Sequence, residues 1–588
     1  MGQEKAKGPS CIYRESIQII DTAKGFVSNV TVQSVPIPDY SNYHVGYTSL
    51  EQVTEYETRY YTEKGKWKFF RKGEIHDVQT PVDDFYSCQR TLVIELPKEG
   101  AFQVNYQMKT KDLIWQSSLH FFNPFPIDTF YYEIAIPHDY SFRYKLIYPE
   151  LLSYFKIDSV IKKHEIIYYL TGVPVYRESN SEEKTIFQIK KHRCTALTIV
   201  TPREFSGNET GYYNDWVMKK VRPKANLNEK SKALIDSLTA TKTEKDDLIE
   251  TLFNYVRDHI KYLDVEIGYG AQIPHNVNKV LRTKQGDCKD MAFLLCQALQ
   301  YKGIEAKLAI ASTSTHFADM TFPSLSAANH MICAVKNNDG WLYLDPTAKS
   351  GSWRIPALGI QGSKVLILDT ENGLYETVSP SEPEMNREYF LFALRLNNDS
   401  LTGTLHYAAY GAAMQYLKYL YTETTQTEWS LLSRSILNKI VEGVSIDHPE
   451  MAQTNDSIII SCRISVSPAL IAKNGSSTYI NLGFLPIPMI SFHCKDYRGD
   501  VVLNYKTLRN TDIRIETDPA FQSAVLKPML YDQDGYYYEI NTEKKDQTIA
   551  IKSKFRCEKL LISKEECPEY KKFSEFISKI RNNAIIFK

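Results

Sequence analysis

The sequence is short of the features that most quickly assign a protein to a class. Its ten cysteines (11, 88, 194, 288, 296, 333, 462, 494, 557 and 567) include no C-x-x-C pair and follow no regular spacing. A zinc ribbon and a dithiol redox pair are thereby excluded; Cys557 and Cys567 are near enough to close a small loop. No apolar run approaches the roughly 20 residues of a membrane helix, so no transmembrane segment is expected. Charge of one sign is absent too: 70 basic residues balance 70 acidic ones. Without a basic surplus there is no electrostatic footprint for a nucleic-acid partner. The opening MGQEKAKGPS carries no apolar h-region, and position 6 lacks the Ser or Thr that N-myristoylation requires. Two locations fit: an exported protein, periplasmic or at the cell surface, whose leader is absent from this sequence, or a cytoplasmic one. There is neither an internal repeat nor a low-complexity segment.

What is present is an ordinary globular balance, 43% hydrophobic and 24% charged, over 588 residues. That length calls for several domains. Forty tyrosines and 26 phenylalanines favour pleated, half-buried surfaces. Up to residue 205 the runs TLVIELP, AFQVNYQMKT, FYYEIAIP and HEIIYYLTG alternate with turn residues, the pattern of an antiparallel β-sandwich. Within it, the aromatic segment 115–126 reads as core packing or as a binding surface. Residues 206–228 are polar and poor in strand formers and read as a linker. An α+β core is expected over 229–378, opening on a helix with Leu248, Leu252, Val256 and Ile260 on one face. Strands return over 379–588, interrupted by one amphipathic helix from Trp429 to Val444 with Leu432, Ile436, Ile440 and Val444 in register.

The core holds the stretch KQGDCKDMAFLLCQAL, residues 284–299. Asp287 suits an N-cap, which places Cys288 at the first helical position, and Gly303 suits the C-terminal cap. Unpaired N–H groups and the macrodipole favour an anion there, and a thiol so placed gains thiolate character. Met291, Phe293, Leu294, Leu295 and Leu299 make the helix apolar nearly all round, as a buried helix is. Downstream, HMICAVK and WLYLDP flank Asn337-Asn338-Asp339-Gly340, a hairpin signal. The favoured register sets position 330 opposite 347, so Asp345 lies diagonally across from His330 on one face. Such neighbours are about 7–8 Å apart by Cα, within side-chain reach. A carboxylate holding one imidazole nitrogen leaves the other free to take a thiol proton. Cys296 and Cys333, in apolar segments, read as core residues, and His316 as a loop histidine near the cleft. Three candidate ligands without a second nearby cysteine make a poor metal site.

In order and spacing, GDCKDMAFLL, NHMICAV and WLYLDPT resemble the three sequence blocks of the transglutaminase-like, papain-fold cysteine enzymes. The resemblance covers about residues 248–369. The GDCKD form resembles a bacterial subgroup with an N-terminal β-sandwich domain and often a second β-rich domain behind the core. It implies a multidomain, mainly β chain with a papain-like centre, and a catalytic triad of Cys288, His330 and Asp345. It implies no cofactor. For the oxyanion, the Cys288 N–H needs a second donor: Tyr262, by analogy with the aromatic donor of many transglutaminases, or Gln272, by analogy with papain-like enzymes. The expected activity is that of a thiol hydrolase or acyl-transferase on a protein, peptide or cell-wall peptide, with protein or glycan binding by the β-domains. The rival is a non-catalytic scaffold that keeps the fold.

Overall fold

The computed structural model describes residues 11–587 apart from 20–24, 38, 70–74, 80–84, 88–89, 176–187, 190–192, 267, 398–399, 423, 455, 488–500, 518–522, 525–526 and 546. The described residues fall into two compact units. The first takes in those of Met1–Lys184, His192–Thr347 and Ser363–Thr377; the second takes in those of Thr185–Lys191, Ala348–Gly362 and Val378–Lys588.

In the first unit, an eight-stranded sheet runs in the spatial order Leu152–Ile161, Glu165–Pro174, Thr129–Pro137, Ile12–Ile19, Phe26–Ser34, Phe102–Thr110, Glu51–Tyr61, Trp67–Phe69. Alternation along its strands sends Val30, Val32, Phe102, Val104 and Ile134 inward. There they share a core with Tyr43, Ile94, Leu119, Phe142 and Val200 from two three-stranded sheets. The sandwich is not wholly antiparallel: Ile12–Ile19 pairs with Thr129–Pro137 in parallel, as strands far apart in sequence can do.

The expected linker is not one. A helix occupies Glu209–Val221, capped by Asn208, whose Oδ1 accepts from Gly211 N–H at 3.1 Å. Tyr213, Val217 and Val221 are buried along it. Helix Glu229–Leu238 follows almost at once. The N-terminal sheets and the cysteine helix therefore belong to one unit rather than to separately bounded domains. Strand Phe85–Ser87 even pairs in parallel with Asp264–Glu266, and Ser117 Oγ lies 2.7 Å from Ser326 Oγ.

Helix Lys245–His259 and helix Cys288–Tyr301 pack together. The second also lies on the inner strands of a five-stranded antiparallel sheet, ordered Gly340–Leu344, His330–Asn337, Ala306–Ala311, Lys364–Ile367, Leu374–Thr377. The hairpin has the expected register, with Cys333 facing Leu344 and Asn337 facing Gly340.

The second unit is built on another eight-stranded sheet, from Val444–Gln453 at one edge to Met529–Gln533 at the other. Among the described residues three helices accompany it rather than one: Gly411–Thr422, Trp429–Ile440 and Cys567–Arg581. The amphipathic helix stops four residues before its expected end. Gly443 (φ 68°) turns the chain, and Val444 starts a strand. Cys557 and Cys567 are both free thiols, so they close no loop; Cys88 and Cys494 lie outside the described residues. Among the described residues, no helix is long and apolar enough to cross a membrane.

Candidate active site

Gly286 leads into the cysteine helix through a constriction, since a Cβ there would come within 2.6 Å of Asp290 Cβ. Asp287 is the N-cap and Cys288 the first helical residue. Asp290 completes a capping box that sequence reasoning missed: its carboxylate accepts from Asp287 N–H (3.4 Å), while Asp287 Oδ1 accepts from Asp290 N–H (3.3 Å). The signal was visible as an acidic residue three positions after the cap. The ten residues Met291 to Gln300 carry the helix into the core, where Leu294, Leu295 and Leu299 are fully enclosed. Cys288 is thus held at a rigid mouth and is partly exposed.

The hairpin brings His330 to this mouth. Its Nε2 lies 2.8 Å from Asp345 Oδ2, the diagonal contact expected from the register. The Cys288 side chain lies close enough to this ring to strengthen its hold on a proton; with Nε2 taken, Nδ1 is the nitrogen left for it. The other Asp345 oxygen accepts from Thr347 N–H (3.0 Å) and Thr347 Oγ1 (2.7 Å). Thr347 was also missed, although Asp-Pro-Thr after a strand is a local turn signature. Burial opposes a charged imidazole, yet the charge and hydrogen bond of Asp345, with the Cys288 contact, hold His330 well above its ordinary value of 6.5. Burial likewise opposes ionised Asp345, but His330 and the Thr347 bonds keep that carboxyl below 3.8. Each partner fixes the other's charge.

Tyr262 enters from a short parallel pairing in which it faces Gly286. Although it is 38% exposed, partial burial and then the neighbours Cys288, Asp264, Asp287 and Asp345 push its phenol up, so its O–H keeps its proton and stays a donor. Gln272 follows the turn Gly268–Ala271, its N–H donating to Tyr269 O at 3.0 Å; no described contact joins its side chain to Cys288. His316 is partly buried, with Nε2 3.1 Å from Ser326 O. Cys296 and Cys333 are 1% and 0% exposed. Burial and the neighbouring Cys333 thiol hold Cys296 far above the ordinary thiol value. Trp115, of the aromatic segment, packs beside Trp216 and Tyr269.

A sequence model of the transglutaminase-like superfamily matches residues 232–346, the span that contains Tyr262, Cys288, His330 and Asp345. These residues are a transglutaminase-like domain. No protein of curated function matches the chain. Among solved structures, "a putative protease" from Parabacteroides distasonis superposes with a TM-score of 0.61 at 11% identity, covering 98% of this chain and 99% of that one. At that identity the likeness is one of fold, and it extends through the β-rich parts on both sides of the transglutaminase-like domain. "A putative cysteine protease" from Cytophaga hutchinsonii matches over 57% of this chain and 78% of its own at 9% identity, with a TM-score of 0.17.

Proposed function

We propose that this protein is a cysteine hydrolase or acyl-transferase acting on a peptide or isopeptide amide through a thioester at Cys288. The observation that carries the reading is the 2.8 Å contact between His330 and Asp345, with the Cys288 side chain close to the same ring. Cys288, His330 and Asp345 then act as a catalytic triad. The thiol proton passes to His330 Nδ1, and the sulfur attacks the amide carbon. The oxyanion that forms accepts from the Cys288 N–H and, in our assignment, from Tyr262 O–H, with Gln272 the less favoured donor. As the C–N bond breaks, the imidazolium returns the proton to the departing amine. Water then attacks the thioester by the same route in reverse, or an amine takes its place; hydrolysis is the preferred outcome. Asp345 keeps the ring oriented and stabilises its charged form.

Substrates in this reading are proteins, peptides or cell-wall peptides, met by a bacterial protein in the periplasm or at the cell surface. The name "protease" given to the Parabacteroides distasonis relative agrees with a peptide substrate. Protein or glycan binding falls to the β-rich parts. The N-terminal eight-stranded sheet exposes Tyr154, Tyr169 and Tyr131 on its first three strands and Tyr61, Trp67 and Phe69 on its last two. That surface also favours the alternative, a binding scaffold that keeps the core only as a fold. A thiol-directed probe decides between them. Labelling at about pH 6 that far exceeds that of a free thiol, and that disappears in a folded Cys288→Ala variant, supports the enzyme. Labelling no faster than that of a free thiol leaves the scaffold.

A further inference from the structure

The two edges of the N-terminal eight-stranded sheet are finished differently. One edge strand, Trp67–Phe69, has three residues, and a strand so short offers little backbone for another chain to pair with. The other, Leu152–Ile161, has ten. Among the described residues it pairs with Glu165–Pro174 on one side and with nothing on the other. The ladder fixes which backbone groups face outward. Lys162 N–H donates to Glu165 O at 2.8 Å, and opposed residues of an antiparallel pair alternate between bonded and non-bonded. Tyr154, Lys156, Asp158 and Val160 therefore turn their N–H and C=O groups toward Glu165–Pro174. Phe155, Ile157, Ser159 and Ile161 turn theirs away from the sheet. Ser159 N–H agrees: it is met by the carboxylate beside it, Asp158 Oδ1 at 3.2 Å, and not by the neighbouring strand.

Side chains alternate along the strand, so Tyr154, Lys156, Asp158 and Val160 share one face. Tyr154 and Val160 are 49% and 48% exposed, and Ile161 at the end is 76% exposed. Edges are commonly guarded by an unmatched charge, often a lysine. Lys156 stands in such a place, but Asp158 Oδ2 lies 3.0 Å from its Nζ, and the strand has no net charge. A second copy laid antiparallel along this edge has few registers open to it, because outward-facing residues must oppose outward-facing residues. With Ile157 opposite Ile157 of the second copy, Lys156 falls opposite Asp158 in both halves of the pairing, and Tyr154 falls opposite Val160. A slip of one pleat repeat in one direction sets Lys156 opposite Lys156. The same slip in the other direction sets Asp158 opposite Asp158. Like charges directly opposed are destabilising. The edge matches itself in one register and repels itself in both neighbouring ones.

We propose that strand Leu152–Ile161 is a homodimer interface: two copies of the chain join edge to edge about a two-fold axis at Ile157, and their sheets become one. Ile157 exchanges N–H···O bonds with its counterpart. Ser159 N–H passes from Asp158 to the Phe155 carbonyl of the second copy, which releases Asp158 to the lysine opposite. Exposed ion pairs are each worth little, so the backbone bonds supply the attachment and the charges choose the register. Such a contact is isologous and closes at two copies, as the self-matching charge pattern requires. Tyr169 is opposite Asp158, and Tyr131 is opposite Thr171, which itself faces Lys156. The axis runs normal to the sheet, so the exposed tyrosines of both copies come to lie on one side of the joined sheet. None of this depends on the reading of Cys288.

The test is sedimentation velocity of the full chain across a range of protein concentrations. The wild type should sediment as a dimer that dissociates on dilution. Lys156→Asp sets carboxylate against carboxylate in both halves of the pairing, and Asp158→Lys sets ammonium against ammonium. Each substitution alone should raise the dimer Kd by roughly tenfold or more. Mixed in equal amounts, the two variants regain both opposite-charge pairs and should form a heterodimer about as tight as the wild type. The double variant K156D/D158K, which reverses the pattern and keeps it self-matching, should dimerise like the wild type. Both side chains are exposed, so the variants should fold, and circular dichroism checks that they do. A wild type that stays monomeric at every concentration overturns the proposal and leaves this edge to a strand of some other protein or to solvent. A dimer that neither single variant weakens, or one that mixing and double reversal do not restore, overturns it as well, since that dimer is built on other residues.

Discussion

His330 lies between a core that opposes its charge and a carboxylate that favours it, and the carboxylate wins. The consequence for stability follows from the two shifts. Because folding raises His330 above 6.5, its contribution is complete below that value and is lost as pH rises through the raised value. Because folding lowers Asp345 below 3.8, its contribution is complete above that value and is lost as pH falls through the lowered one. Asp345→Asn should therefore cost most between pH 3.8 and 6.5, on the order of 3 kcal/mol for a broken buried pair, and less in alkaline solution. Urea unfolding midpoints across pH measure this; a cost that grows steadily above neutrality contradicts the assignment of charge. The same variant should slow Cys288 alkylation at about pH 6 by tenfold or more. Tyr262 acts on a different step. If its O–H serves the oxyanion, Tyr262→Phe lowers kcat on an amide substrate by about 10²–10³-fold and leaves thiol alkylation unchanged. A parallel loss in both assays places Tyr262 in thiol activation instead.

The cysteine helix and the hairpin were legible because their signals are local. An acidic cap, an unbroken apolar run and a Gly stop define the helix. The Asn-Asn-Asp-Gly turn fixes the register, and the register brings Asp345 to His330. Helix Glu209–Val221 was not legible, since Thr210, Gly211, Asn214 and Asp215 are poor helix formers. What stabilises it is tertiary: Trp216 Nε1 donates to Asp112 at 3.2 Å, and Tyr213, Val217 and Val221 are enclosed. His275 escaped notice for a related reason. Its bond to Asp290 joins two segments across the intervening helix Val277–Thr283, a contact no periodicity encodes. The cysteine helix is the element on which the site depends most. Leu295, 0% exposed, faces other core side chains with no route for collapse through solvent. Leu295→Ala should cost about 2–5 kcal/mol, read from the urea midpoint, and should slow alkylation of Cys288 only where unfolding is already measurable. A variant that stays fully folded yet loses thiol reactivity would show that the helix positions the sulfur less rigidly than its burial implies.

At the scale of the whole molecule, the chain crosses between its two units more often than a string of domains would. A boundary at 378 looks natural in the sequence, because strand Leu374–Thr377 completes the five-stranded sheet of the first unit. Composition could not reveal that Ala348–Gly362 belongs with the second unit, ahead of that strand and the one before it. The segment is integral to its own unit. Trp353, Ala357 and Ile360 are buried, Gly362 N–H donates to Val378 O at 2.9 Å, and the enclosed Gln361 Oε1 accepts from both Ser381 N–H and Ser381 Oγ at 3.1 Å. A fragment beginning at residue 379 loses those partners, leaving the buried N–H of Ser381 without its Gln361 acceptor. Each unmet buried group costs about 1–3 kcal/mol, enough to matter against a typical domain stability of about 5–15 kcal/mol. A fragment spanning 348–588, carrying 363–377 as an untethered loop, should melt cooperatively and well above one spanning 379–588, since long surface insertions are cheap in loop entropy. Circular dichroism melts of the two decide it. Equal melting temperatures would mean that 348–362 only rests on the second unit, and that the boundary read from the sequence is the physical one.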